Sequence, residues 1–222
     1  MSASLGLRIV PLALAIMLGS CAKPVTGPAL TAAAEADLRA GRNQVALAEI
    51  QQRLKENPRD ARAAYLRGVA FARLGRYERA ALSFAAFRRA GGNAARLDLD
   101  QGGALLNAGD AAAALPMLQA YRTSHPTSGE ALLLTGRARL MVATKGKPRP
   151  DAAGIAAAEA MFRTALAMQD SHNAAQLLLA IAATARNDRP AARRALDTLL
   201  AEAPRSPQVQ LLEAAAHSKP KG

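Results

Sequence analysis

Apolar residues in this chain fall at helical spacing in short blocks, each block closed by glycine or proline. Residues 61–94, ARAAYLRGVAFARLGRYERAALSFAAFRRAGGNA, predict two amphipathic helices joined by a turn at Leu74-Gly75-Arg76. The marker residues recur 34 positions away: Gly68, Gly102 and Gly136; Gly41, Gly75 and Gly109; Ala46, Ala80 and Ala114. Pro58 and Pro126 stand two periods apart. A fixed period with a helical hairpin in each unit predicts an all-α repeat array, in which neighbouring units bury each other's apolar faces. Ala and Leu dominate and β-branched runs are scarce, so strands are not expected.

Five units follow from the register: 27–60, 61–94, 95–128, 129–172 and 173–206. In the first, a weak helix near 30–40 has Ala34 and Asp37 at marker positions, and a second near 44–56 carries Ala46, Ile50 and Leu54. The third keeps Gly102, Leu105, Gly109, Ala114 and Leu118, with Pro116 read as lying in the first turns of its second helix. In the fourth, Ala158, Phe162 and Ala165 arrive ten residues late. The basic stretch at 144–152 therefore reads as an inserted loop, either a docking element for an acidic partner or a tolerated surface insertion. The fifth carries Ala180, Ala192, Leu196 and Leu199. Residues 207–216 predict a helix covering the open end, and 218–222 a frayed tail.

Gly68, Phe71, Gly75, Tyr77, Ala80 and Phe84 make residues 61–94 resemble the tetratricopeptide (TPR) repeat, at that repeat's positions 8, 11, 15, 17, 20 and 24. Ala64 where the family has Trp, and Arg67 where it has Leu, are departures. The resemblance implies a right-handed TPR α-solenoid of about five repeats over residues 29–217, with a capping helix. It also implies a concave face lined by the first helix of each unit. Peptide-contacting positions of the family fall here on Arg62, Tyr65, Val69 and Arg73, then Arg96, Leu99 and Asn107. In the fourth unit they fall on Glu130, Leu133, Arg137 and Leu140, and in the fifth on Leu177 and Ile181. Arg62, Arg96 and Arg137 on one face suit either a bidentate grip on a ligand carboxylate or simple hydration of that face.

Residues 1–20 combine Arg8 with an apolar run from Ile9 to Leu18, too short to span a bilayer and suited to an export signal. The run ends in Leu18-Gly19-Ser20-Cys21, which resembles the bacterial lipobox; an ordinary secretory signal with an incidental cysteine is the alternative. The resemblance implies cleavage before Cys21, lipidation of its sulfur with fatty-acyl chains such as palmitate, and a lipidated linker over 21–28. Several acyl chains hold a protein firmly where one does not. Ala22, in place of the Asp associated with inner-membrane retention, points to the periplasmic face of a Gram-negative outer membrane. Cys21 is the sole cysteine, so no internal disulfide forms.

The formal charge of +12 suits an anionic partner. Without Trp, and with seven other aromatic residues, the chain lacks stacking platforms for single-stranded nucleic acid. His125, His172 and His217 have no ligand partners at metal-binding spacing, and His125 and His172 read as solvent-facing. No phosphate loop, nucleophile elbow or dinucleotide fingerprint appears, and helix polarity accounts for Asp98 and Asp100. No enzyme, cofactor or small-molecule substrate is expected. Among TPR lipoproteins the short lipidated leader and all-repeat body resemble the TadD family of Tad/Flp pilus assembly lipoproteins. That resemblance implies a pilotin-like role with a secretin or other secretion component as partner. Adaptors for cell-wall hydrolases and outer-membrane protein assembly are the alternatives.

Overall fold

The computed structural model describes residues 28–168 and 171–202. They form ten helices in five hairpins and, among the described residues, no strand. The first three hairpins are α1 (Pro28–Arg39) with α2 (Asn43–Glu56), α3 (Ala61–Arg73) with α4 (Tyr77–Arg89), and α5 (Leu97–Asn107) with α6 (Ala111–Ser124). The last two are α7 (Gly129–Thr144) with α8 (Ala152–Leu166), and α9 (His172–Ala185) with α10 (Arg189–Glu202). The export signal, Cys21 and its linker, the capping helix, the tail and His217 lie outside the described residues.

Each helix packs on the next, and α1 also meets α3, α5 meets α7, and α7 meets α9. The odd helices therefore make one layer and the even helices the other, the all-α solenoid that the period predicts.

The spacing of marker residues has a direct steric cause. A Cβ on Gly68 would lie 2.6 Å from the Phe84 ring; on Gly102, 2.8 Å from Leu118; on Gly136, 2.4 Å from the Phe162 ring. In three units, then, a bare stretch of odd helix receives a large side chain from its partner. In the first and fifth units Ala34 and Ala180 take the glycine's place, and the facing positions hold Ile50 and Leu196, smaller than the phenylalanines of the second and fourth units. Ala46, Ala80, Ala114 and Ala158 are wholly buried at a second close approach.

The hairpin turns repeat as well. Gly41, Gly75 and Gly109 have φ of +74°, +69° and +90°. Around each, two backbone bonds close the helix end, such as Gly75 N–H to the Ala72 carbonyl and Arg76 N–H to the Phe71 carbonyl at 3.1 and 2.9 Å. Asn187, φ +60°, does the same for the fifth unit with the N–H groups of Asn187 and Asp188. Helix starts are capped by Asp60, Asp110, Ser128 and Asp151, whose side chains accept from backbone N–H groups at 3.0–3.2 Å.

Two sequence expectations change. Pro116, expected in the first turns of its helix, is the sixth residue of α6, past the end where a missing N–H costs nothing, so the Ala112 carbonyl loses its helical donor; both residues are exposed, where that carbonyl is open to solvent. Asp37 is buried in α1 and accepts from Arg42 Nε at 2.8 Å, so the weak marker of the first unit is a neutralised carboxylate.

Gly68→Ala is expected to destabilise the protein by about 1–3 kcal/mol through overpacking. Adding Phe84→Leu should recover much of that loss, because leucine (Leu196) faces alanine (Ala180) at the same contact in the fifth unit. Urea denaturation of the single and double variants checks this.

Candidate protein-binding face

Between α3 and α5 the odd-helix layer parts. These two helices lack the firm contact made by α1 with α3, α5 with α7, and α7 with α9. The gap is a cleft of about 600 Å³ with its floor on α5 and its far wall on α7. Of the sequence-predicted residues, Tyr65, Val69 and Arg73 line it from α3, and Arg96, Leu99, Asn107 and Glu130 from α5 and α7. Leu133 lines an adjoining cavity of about 630 Å³ that shares Glu130 and Leu134. Arg137 lies beside the cleft through its bond to Asn107, whereas Arg62 bonds Glu35 on α1, which lines neither cavity.

Other predicted residues sit elsewhere. Leu140 is buried with Ile155 and Phe162, where it serves packing. Leu177 packs in the last core cluster, and Ile181 is exposed on α9. Neither lines the two cavities.

The arginines are not free clamps. Arg62 Nε donates to Glu35 at 2.7 Å. Arg96 Nη2 donates to both Glu130 oxygens at 3.0 Å, and its Nε lies 3.5 Å from Asp100. The Tyr65 hydroxyl donates to Asp100. Arg137 Nη1 donates to the Asn107 amide oxygen at 2.8 Å, Arg73 to the Leu38 carbonyl, and Lys145 to the Gly109 carbonyl at 2.8 Å. All but the Arg96–Asp100 pair join one unit to the next, forming a polar ladder along the inner layer. Most rungs link residues 34–36 positions apart, close to the repeat period itself.

Burial pushes the Tyr65 hydroxyl up, and its bond to Asp100 pushes it further. Burial also raises Asp100, more than the Tyr65 hydroxyl and the Arg96 charge lower it. The bond to Glu35 raises Arg62. For Arg96, burial lowers the value and the Glu130 and Asp100 carboxylates more than restore it.

Sequence reasoning passed over Asp100, Tyr77, Gly103 and Leu134, all of which line the cleft. The one available signal was the separation of Tyr65 and Asp100, 35 residues, which puts them on adjacent units. His172, expected to face solvent, is half-buried; its Nδ1–H donates to the Leu166 carbonyl at 3.0 Å, and its Nε2 lies 2.7 Å from the Gln176 amide nitrogen. His125 is exposed and stacks on Tyr121 at 4.1 Å. Among the described residues no group of three or more His, Cys, Asp and Glu is placed to hold a metal, and no helix is long and apolar enough to cross a membrane.

Residues 31–95, 99–141 and 151–207 match the family pattern described as tetratricopeptide repeat. The chain belongs to the tetratricopeptide repeat family. The TPR fold is that of protein-interaction scaffolds, generally without enzymatic activity, and TPR proteins bind protein partners.

Among solved structures, the TPR chain is similar to MamA residues 41-end from Desulfovibrio magneticus RS-1 at 21% identity and TM-score 0.62, covering 85% of this chain and 96% of that one. YrrB, described as a TPR protein with an unusual peptide-binding site, is 20% identical with TM-score 0.63, covering 84% and 91%. The thermophilic TPR protein TTC0263 of Thermus thermophilus is 19% identical with TM-score 0.60, covering 84% and 96%. At these identities the likeness is one of fold. No curated protein matches the chain by sequence.

The raised Asp100 sets the sign of a pH effect. Its contribution to stability is complete below the unfolded carboxyl value of about 3.9 and is lost as pH rises through the higher folded value. Asp100→Asn keeps an acceptor for Tyr65 and removes the buried charge. The variant should therefore be more stable than the native chain at neutral pH, with the gain vanishing in acid. Thermal melts across pH test this.

Proposed function

We propose that this TPR chain is a lipid-tethered, non-enzymatic scaffold on the periplasmic face of the outer membrane, holding a segment of a partner protein on its odd-helix face. We further propose that it acts as a pilotin-like assembly factor of a Tad/Flp-type pilus or secretion machine, with the secretin as partner. The observation that carries the groove reading is the cleft between α3 and α5. It is concave, about 600 Å³ in volume, apolar along Val69, Leu99 and Leu134, and edged by polar groups. That combination suits a peptide or helix laid along a groove. YrrB, of the same fold, is described as having a peptide-binding site.

The tether rests on Cys21 at the end of an apolar run, with α1 beginning a short spacer later at Pro28. Ala22 supports the outer-membrane assignment. The pilotin role rests on the likeness of the lipobox leader and all-repeat body to the TadD family.

A photo-crosslinking residue at Val69 or Leu134 should yield an adduct with the secretin in cells, whereas the same residue at Leu82, 67% exposed on α4, should not. Adducts at Leu82 alone would overturn the groove, and a partner outside the pilus machinery would overturn the pilotin role. Separately, Cys21→Ser is expected to abolish palmitate labelling and move the protein from the membrane to the soluble fraction; fractionation unchanged by the substitution would remove the tether.

A further inference from the structure

Gly103 sits inside α5, where glycine weakens a helix relative to alanine. Packing does not require it. A Cβ there would meet only Leu134 Cδ1, at 3.6 Å, an ordinary contact, whereas Gly68, Gly102 and Gly136 have no such room. The other units all carry a side chain at the equivalent position: Glu35, Val69, Arg137 and Ile181. The missing side chain opens the middle of the α3–α5 cleft, between contributions from Val69 and Leu134. Three of the chain's seven aromatic residues, Tyr65, Tyr77 and Phe84, border that same cleft.

Charge along the cleft is uneven. At the Tyr65 end, Arg96 is matched by Asp100 and Glu130. At the Asn107 end, Arg73 and Arg137 are held only by neutral oxygens, those of Leu38 and Asn107, and meet no carboxylate among the described residues. Lys145 is held the same way, by the Gly109 carbonyl.

We infer that Gly103 is a specificity-determining notch that receives an aromatic side chain of the partner segment, with an acidic residue or C-terminal carboxylate of that segment lying toward Arg73 and Arg137. A ring fits a floor without a side chain and walls of rings and apolar groups, where aromatic contacts and guanidinium stacking add to burial. A carboxylate complements the two uncompensated guanidiniums. The inference rests on the groove reading and adds to it what the groove selects.

The test selects a displayed library of random short peptides on the full-length protein and measures the recovered peptides against variants. Recovered sequences should pair an aromatic residue with nearby Asp, Glu or a free C-terminus. Gly103→Leu should weaken them by about tenfold or more, as loss of an anchor pocket does. Arg73→Glu with Arg137→Glu should also weaken them, and Leu82→Ala should not. Gly103→Ala, which fits without a clash, should raise Tm by about 2–4 °C, so that stability and binding move in opposite directions.

Basic or purely aliphatic recovered peptides, or full binding to Gly103→Leu, would overturn the notch while leaving the groove intact. No recovery, or recovered peptides indifferent to Val69→Arg, would overturn the groove and the notch together.

Discussion

The structure depends on one contact repeated along the chain: a large side chain from an even helix pressed onto a bare stretch of the odd helix before it. Phe84 on Gly68, Leu118 on Gly102 and Phe162 on Gly136 hold each hairpin shut at a distance that no β-carbon allows. Close-packed interiors tolerate neither voids nor extra methylenes, so the two residues of each pair must be chosen together. The pairing of Ala34 with Ile50 and Ala180 with Leu196 meets the same constraint with the volumes shifted. With the hairpins closed in this way, each presents its remaining apolar surface to the next, and the units stack.

A second set of interactions runs along the inner layer and does a different job. The ladder from Glu35–Arg62 to Asn107–Arg137 is largely exposed, and exposed ion pairs contribute about 0–1 kcal/mol each. Such bonds add little to stability. They do orient side chains across unit boundaries, and they decide which cations remain available to a ligand. Arg62 and Arg96 are satisfied within the chain, whereas Arg73 and Arg137 keep their charge unmatched. The cleft thereby acquires a polarity that the overall positive charge of the chain does not by itself specify.

Departures from the repeat are each met by a local compensation. Asp37, at a position that favours a large apolar residue, is neutralised by Arg42 from the following turn. Burial and the Asp37 charge raise the Glu49 carboxyl, while Arg42 pulls it down. Asn187 replaces the turn glycine because its short polar side chain tolerates the left-handed region better than most residues. Where the fourth unit carries its insertion, α7 extends to Thr144, the chain returns through Asp151 N–H to the Ala143 carbonyl at 2.8 Å, and Lys145 ties the loop to the preceding turn. The basic loop is thus anchored at both ends of its path.

Fold class, number of hairpins, turn positions and the inserted loop were legible in the sequence, for one reason. In a repeat array the contacts that define the fold join residues at a constant separation, so a geometric requirement at Gly68, Ala80 or Gly75 is written again one period on. The cleft was partly legible: the register placed Tyr65, Val69, Arg73, Arg96 and Asn107 along the odd-helix side, and all five line it. What lay beyond it depended on how neighbouring units meet. Leu140 turned into the core, Arg62 and Arg96 found carboxylates on adjacent units, and α3 drew away from α5 to open the cleft. Asp100 looked like an ordinary first-turn acid until Tyr65 was seen to donate to it. Period and residue type, being local properties, dictated the array; which charges are cancelled and where the wall opens follow from contacts between units, and those only the tertiary structure decides.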